Sequence, residues 1–75
     1  MKLKDADIGA TCRVTGYASN NRNYRQKLLQ MGLVKGSEFV VIRKAPLGDP
    51  VEIQMPGFNL TLRKTEADAL NVELT

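Results

Sequence analysis

The chain has 75 residues, 43% of them hydrophobic and 25% charged, and a formal net charge of +3. These ordinary globular values exclude general disorder, and the length allows one small domain, which we place at residues 1–75. Histidine is absent and Cys12 is the single cysteine, which excludes an internal disulfide, a Cys-His or Ser-His catalytic relay and the nitrogen and sulfur ligands of a zinc site.

No apolar run approaches the ~20 residues that a membrane-spanning helix needs, and the N-terminus lacks the pattern of a signal peptide. We therefore expect a cytoplasmic protein with no direct insertion into a membrane. The positive charge permits an acidic partner, although a small surplus spread along a chain is also typical of a surface that serves solubility.

The first predicted strand covers residues 10–17. Its residues alternate, with Ala10, Cys12 and Val14 on one side and polar residues on the other, which is the pattern of a half-buried strand. Cys12 is then interpreted as a small core residue and not as a redox thiol. Before this strand, Leu3 is expected to lay one apolar side chain on the domain.

A short helix is predicted next, because Tyr24, Leu28 and Met31 recur at the spacing that places three side chains on one helical face. Gly32 suits the left-handed residue that ends a helix, with Leu33 packing back on the helix as in a Schellman motif. A helix of about two turns is marginal alone, so it requires a surface supplied by the rest of the chain.

The start of this helix is less well defined by the sequence. Asn23 and Gln26 have the spacing of a capping box, which predicts a start at Asn23. Asn20 and Asn21 are alternative caps, which would start the helix earlier.

Two hairpins follow. The continuous apolar run at residues 39–42 predicts a strand over 38–44 that is covered on both faces. Residues 45–50, with two prolines and a glycine, predict a stiff, exposed hairpin loop. A strand over 51–55 then alternates apolar and polar residues, and the turn at Pro56-Gly57 leads to a strand whose core face would be Phe58, Leu60 and Leu62.

The chain closes with a helical turn and a last strand. Thr65 is predicted to cap the turn, with Asp68 at the capping-box position, and Val72 and Leu74 mark the strand. The fold class is therefore mainly β: a small five-stranded barrel with one short inserted α-helix and a short helical turn before the last strand.

Three segments in this order resemble a known family: residues 25–36 (RQKLLQMGLVKG), residues 45–51 (APLGDPV) and residues 62–67 (LRKTEA). They are similar to ferrous-iron transport protein A, FeoA, although Met31 stands where that family usually has leucine. The resemblance implies an SH3-like barrel, cytosolic and without catalytic activity, that serves bacterial ferrous-iron uptake beside a large inner-membrane permease with a cytosolic GTP-binding domain.

The leading hypothesis is an adaptor that binds and modulates this permease, and two surfaces are candidates for partner binding. Arg25 and Leu29 lie beside the core stripe of the helix, and Leu47, Gly48 and Asp49 lie on the hairpin loop. The alternatives are an ordinary, partly buried leucine on the helix and a loop whose proline and glycine serve geometry alone.

A nucleic-acid-binding or general protein-interaction barrel is the second hypothesis, because small barrels hold single strands by stacking bases on aromatic side chains. We expect no nucleic acid, since Phe39 and Phe58 are in core phase and Tyr24 is on the helical stripe. Tyr17 is left as the one plausible stacking platform.

An enzyme or an iron carrier is the third possibility. The carboxylates are scattered along the chain, and no pattern pairs them for acid-base work. Asp5 with Asp7, or Glu66 with Asp68, offers only oxygen ligands, which are weak for ferrous iron. We therefore predict no catalytic, cofactor-binding or metal-binding residues.

Overall fold

The structure is a computed structural model that describes residues 1–18 and 22–75. The predicted alternative caps Asn20 and Asn21 lie outside the described residues. A short 3-10 turn at Leu3–Asp5 precedes the regular elements. These are, in chain order, β1 (Thr11–Tyr17), α1 (Arg22–Gln30), β2 (Glu38–Lys44), β3 (Val51–Met55), β4 (Phe58–Leu62), α2 (Lys64–Asp68) and β5 (Leu70–Leu74).

The five strands form one antiparallel sheet in the order β4-β3-β2-β1-β5. The register shifts between Val14 and Gly16 in β1, and between Val41 and Arg43 in β2. Such irregularities bend a sheet and increase its twist, so the sheet curls around its own inner face. Helix α2 contacts both β4 and β5, the two ends of the strand order. The predicted mainly β fold, with an inserted helix and a helical turn before the last strand, is confirmed.

The inner face of the sheet carries the core. Cys12, Val14, Val41 and Ile53 are each at most 1% exposed, and Leu3 from the N-terminal turn is fully buried beside them. Burial raises the pKa of the Cys12 thiol, only partly opposed by the positive charge of Lys44. Cys12 is thus the neutral core residue that the alternation predicted.

Helix α1 ends as its sequence predicts. Gly32 has a φ of 90°, and its N–H donates to the carbonyl of Leu29 at 3.0 Å. The N–H of Leu33 donates to the carbonyl of Leu28, also at 3.0 Å. These two bonds are the pair that defines a Schellman motif. Leu28 and Leu33 are both fully buried, so the motif fixes the end of α1 on the core.

The predicted start of α1 at Asn23 and the predicted start of α2 are wrong, whereas the alternative of an earlier start for α1 agrees with the structure. Helix α1 begins at Arg22, so Asn23 lies within the helix and does not precede it. Helix α2 begins at Lys64, and the Glu66 carboxylate accepts the Arg63 N–H at 2.8 Å. Glu66 therefore takes the role predicted for Asp68, and Thr65 lies inside the helix instead of capping it. The reason is tertiary: Glu66 is drawn inward, where it meets a lysine of α1.

Two predictions about strand burial are also wrong. In β2, Phe39 and Val41 are buried but Ile42 is 37% exposed, because a single curled sheet buries only its inner face. In β4, Leu62 is fully buried but Phe58 is 48% exposed. Phe58 is the first residue of the strand, at the outer end of the hairpin, where the core no longer covers it.

Candidate functional site

Helix α1 is fixed to the barrel by its predicted stripe, in which Tyr24 and Met31 pack partly buried against the core beside Leu28, and by an ion pair of Lys27. Leu28 is fully buried in the core. One position earlier, the Lys27 ammonium nitrogen lies 2.6 Å from Oε2 of Glu66 in α2. The side chain of Glu66 is 5% exposed whereas that of Lys27 is 57% exposed, so the ion pair is half covered by protein. This contact holds α1 against α2 and sets the orientation of the outer face of α1.

The Glu66 carboxylate stays charged in this position. Burial raises the pKa of Glu66, but the hydrogen bond from Lys27, the Arg63 N–H and the positive charges of Lys27 and Arg63 outweigh it and hold the pKa below its ordinary value. The group is therefore ionised at neutral pH and is available there for the ion pair between the two helices.

Arg25 lies on the outer face of α1 and is held by an aromatic ring. Its guanidinium carbon is 5.8 Å from the centroid of the Tyr17 ring, within the range of a cation–π contact. The Tyr17 hydroxyl in turn donates to the carbonyl of Leu33 at 2.7 Å. Strand β1 and the end of α1 therefore position the arginine, and the arginine covers the ring that was considered as a stacking platform for bases.

Leu29 is 43% exposed, as expected for a residue outside the buried stripe of α1. At the end of the helix, a β-carbon added to Gly32 would stand 3.6 Å from Cζ of Phe58. The Phe58 ring thus lies against the glycine that terminates α1. The exposed side chain of Phe58 in β4 therefore lies next to the C-terminal end of α1, where the Leu29 carbonyl accepts the Gly32 N–H.

The predicted hairpin loop is also present. Leu47 is 91% exposed, and Gly48 has a φ of 78° with its N–H donating to the carbonyl of Ala45 at 2.8 Å. Asp49 is exposed, but its side chain is held in place because Oδ1 accepts the Lys64 N–H at 3.1 Å. The loop is thereby attached to the first turn of α2.

The predicted partner-binding residues form two sets. The helix set is Arg25, which is positioned by the Tyr17 ring, and Leu29, on the helix that the pair of Lys27 with Glu66 joins to α2. The loop set, Leu47, Gly48 and Asp49, is positioned through the N–H of Lys64. Asp49 of the loop set accepts a hydrogen bond from Lys64 of α2, and Lys27, a neighbour of the helix set, pairs with Glu66 of α2.

Sequence reasoning missed two residues of this region. The alternation places Phe58 in the core, and the sequence presents Glu66 only as a weak oxygen ligand beside Asp68. The position of Phe58 directly after Pro56-Gly57, at the start of a strand, was the available signal for the first. No sequence signal identified the second, because the pairing with Lys27 joins two distant parts of the chain.

Neither a metal cluster nor a membrane-spanning helix is found in the part of the chain that the structure describes. No group of three or more His, Cys, Asp or Glu side chains there is arranged to hold a metal ion. No described helix has the length and apolar character needed to cross a bilayer.

Comparison with known proteins identifies the family. The model of the FeoA domain matches residues 1–74. Among curated proteins, the chain is similar to the Fe(2+) transport protein A/Fe(2+) transporter FeoB fusion protein of Porphyromonas gingivalis, with 39% identity over 73 residues. The match covers 97% of this chain and 8% of that protein, so the chain spans only a small part of the length of this relative.

Two solved structures show the same fold. The FeoA protein of Chlorobium tepidum has 39% identity and a TM-score of 0.85, over 99% of this chain and 70% of that one. The FeoA of Stenotrophomonas maltophilia, crystallised in complex with zinc, has 26% identity and a TM-score of 0.80, over 97% of this chain and 89% of that one. That protein is described as a procaryotic SH3 domain protein and a candidate ferrous-iron transport activating factor. The expected SH3-like fold is therefore confirmed.

Proposed function

The chain belongs to the FeoA family, and we propose that it is a non-catalytic, cytosolic accessory protein that binds and modulates a ferrous-iron permease of the FeoB type. In this proposal the chain carries no iron itself. It reaches the inner membrane through its partner, whose cytosolic part binds guanine nucleotides according to the resemblance described above.

The observation that carries the proposal is the fusion protein of P. gingivalis, in which a segment similar to this chain is covalently joined to an Fe(2+) transporter. Joining two modules in one chain keeps each at a high effective concentration near the other, on the order of millimolar for short flexible linkers. Such a linkage is useful when the two modules act on one another. A family member that acts on such a transporter without being joined to it needs a binding surface in place of the effective concentration that the linkage supplies.

The non-catalytic part of the proposal is supported by the state of the acidic side chains. Glu66 is the one buried acidic residue in the described part of the chain. Its carboxylate is occupied by Lys27 and by the N–H of Arg63. Because its pKa is lowered, it is a poor general acid or base at neutral pH.

The experiment that tests the function is a pull-down of the permease from membranes by the immobilised chain, with GDP, with a non-hydrolysable GTP analogue and without nucleotide. We expect the permease to be retained, and membranes from cells that lack the permease to give no corresponding band. A second measurement compares ferrous-iron uptake and GTP hydrolysis with and without the chain. Absence of retention under all nucleotide conditions, together with unchanged uptake, would overturn the proposal.

A further inference from the structure

We propose that one face of α1, together with the adjoining phenylalanine, docks an acidic, amphipathic segment of the partner protein. We call this surface the α1 stripe and define it as Arg22, Arg25, Leu29, Gly32 and Phe58. Carboxylates of the segment would meet the arginines, and its apolar side chains would cover Leu29 and Phe58. The inference rests on the proposed function, because it names the docking surface on this chain and the chemistry of the partner segment.

The helical geometry aligns these residues. Arg22, Arg25 and Leu29 are spaced i, i+3 and i+7, which places them within about 60° of one another around the helix axis. Gly32 continues the same side at the helix end, where the Phe58 ring lies against it. At ~1.5 Å per residue, the stripe is roughly 15 Å long. It is cationic at its first end and apolar at its second.

The cations of the stripe have no carboxylate partner in the described structure. The described ion pairs use Arg13, with Glu38 and Glu73, and Lys27, with Glu66. Helix α1 has no acidic residue in its first turn. Arg22 and Arg25 therefore stand at the end of the helix where the backbone dipole is positive, an unfavourable position for cations. Carboxylates of a partner would reverse this unfavourable arrangement.

Arg25 is also pre-organised for binding. The contact with the Tyr17 ring restrains a long side chain in the free protein. Less conformational entropy is then lost when the guanidinium binds a carboxylate. Arginine and tyrosine, the two residue types of this contact, are enriched among the energetically dominant residues at protein interfaces.

The apolar end of the stripe favours a protein partner over a nucleic acid or a membrane. Leu29 and Phe58 are 43% and 48% exposed, and they occupy the half of the stripe where a nucleic-acid surface would continue with cations. A membrane-surface helix instead needs a broad apolar face. The one exposed large apolar side chain of α1 is Leu29, since Leu28 is buried in the core.

The test uses the full 15N-labelled chain and a synthetic peptide of about 12 residues, with glutamates in its first half and leucines in its second. A twin peptide with lysines in place of the glutamates is the matched control. We expect the acidic peptide to shift the amide resonances of α1 and of Gly57 and Phe58, and the lysine twin to shift none of them. The double variant Arg22→Glu/Arg25→Glu should weaken binding by at least about tenfold, and Phe58→Ser by a similar factor. Arg43→Glu, an exposed charge reversal on β2, should bind like the parent.

Two further ligands test the other partner classes: single-stranded oligo-dT and vesicles containing phosphatidylglycerol. Binding of either one more tightly than the acidic peptide overturns the proposal, as does a peptide that shifts resonances only elsewhere. A pull-down of the permease with the same variants distinguishes failure of the docking surface from failure of the proposed function. If the immobilised parent and the immobilised double variant retain the permease equally, the α1 stripe is not the docking surface but the proposed function stands. If neither immobilised chain retains the permease under any nucleotide condition and iron uptake is unchanged, while the acidic peptide binds the stripe, the proposed function fails and the acidic specificity of the stripe stands.

Discussion

The α1 stripe and the hairpin loop at residues 46–50 expose apolar side chains in different ways. Leu47 of the loop is 91% exposed, and the hydrogen bond from Lys64 to Asp49 attaches the loop to α2. Leu29 is about half as exposed, at 43%, and lies next to a leucine that is fully buried. The exposed face of α1 therefore lies directly on the core, whereas the tip of the loop projects away from the core.

This difference indicates which surface is better suited to binding. A partner that covers α1 meets side chains already fixed by Leu28, by the pair of Lys27 with Glu66 and by the Tyr17 ring, so little order has to be created on binding. A partner that covers Leu47 meets one side chain on a turn. Partner binding by the loop residues Leu47, Gly48 and Asp49 stays a prediction from the sequence, and we assign them little of the affinity. The following experiments sharpen the contrast between the two regions.

The largest expected effect is on the core side of α1. Replacing Leu28 by alanine should lower the free energy of unfolding by about 2–5 kcal/mol, because it leaves a cavity under the helix. The matched change Leu29→Ala should cost less than about 1 kcal/mol, since Leu29 is partly exposed. Urea unfolding of both variants followed by circular dichroism measures the difference. Equal losses would contradict the assignment of the two leucines to opposite environments.

An intermediate effect is expected at the junction of α1 and α2. Glu66→Gln should lower the free energy of unfolding by roughly 1–2 kcal/mol at neutral pH, because it removes a charge-assisted hydrogen bond with Lys27. Since the folded pKa of Glu66 lies below its ordinary value of 4.5, its contribution is present above that value and is lost as pH falls through the folded pKa. The difference in the free energy of unfolding between the parent and Glu66→Gln should therefore become smaller in acid.

Urea midpoints measured at several pH values from neutral to acid test this expectation. Glu38→Gln is the control, because Glu38 pairs with Arg13 at 3.6 Å on the surface and its side chain is 53% exposed. It should change the midpoint only slightly at any pH. A deficit of Glu66→Gln that stays constant down to acid pH would show that the carboxylate charge does not stabilise the junction.

A smaller effect is expected at the end of α1. Gly32→Ala should cost about 1 kcal/mol, because alanine is strained at a positive φ. The nearest atom to an added β-carbon is 3.6 Å away, so the cost comes from the backbone conformation and not from a steric clash. Gly16→Ala is the control, since Gly16 lacks a positive φ and has open space around it. Thermal melts in which Gly32→Ala equals or exceeds the parent would contradict the Schellman end of α1.

Local sequence patterns predicted most of the fold. The alternation in β1 and β3, the helical stripe around Leu28 and the glycine at position 32 each depend on residues close in the chain. The errors came from contacts between distant residues. The start of α2 moved to Lys64 because Glu66 pairs with Lys27, and a single curled sheet left Ile42 partly exposed.

The candidate site was predictable only in part. The exposure of Leu29 followed from its angle on the helix, and that of Leu47 followed from its place in the loop. The contact of Arg25 with Tyr17 required three-dimensional proximity across the barrel, whereas the exposure of Phe58 had a local signal in its place directly after Pro56-Gly57. No single segment of sequence contains both the cationic end and the apolar end of the α1 stripe.

The most direct test of the central claim is isothermal titration of the permease, reconstituted in nanodiscs, with two matched variants of the chain, Leu29→Gln and Leu47→Gln. Both replace an exposed leucine by the same polar residue, and both should remain folded. The account predicts that Leu29→Gln weakens the Kd for the permease by about tenfold or more, a loss of ~1.4 kcal/mol or more, while Leu47→Gln stays within about twofold of the parent. Parent-like binding of Leu29→Gln together with a loss in Leu47→Gln would contradict it and would place the docking surface on the hairpin loop.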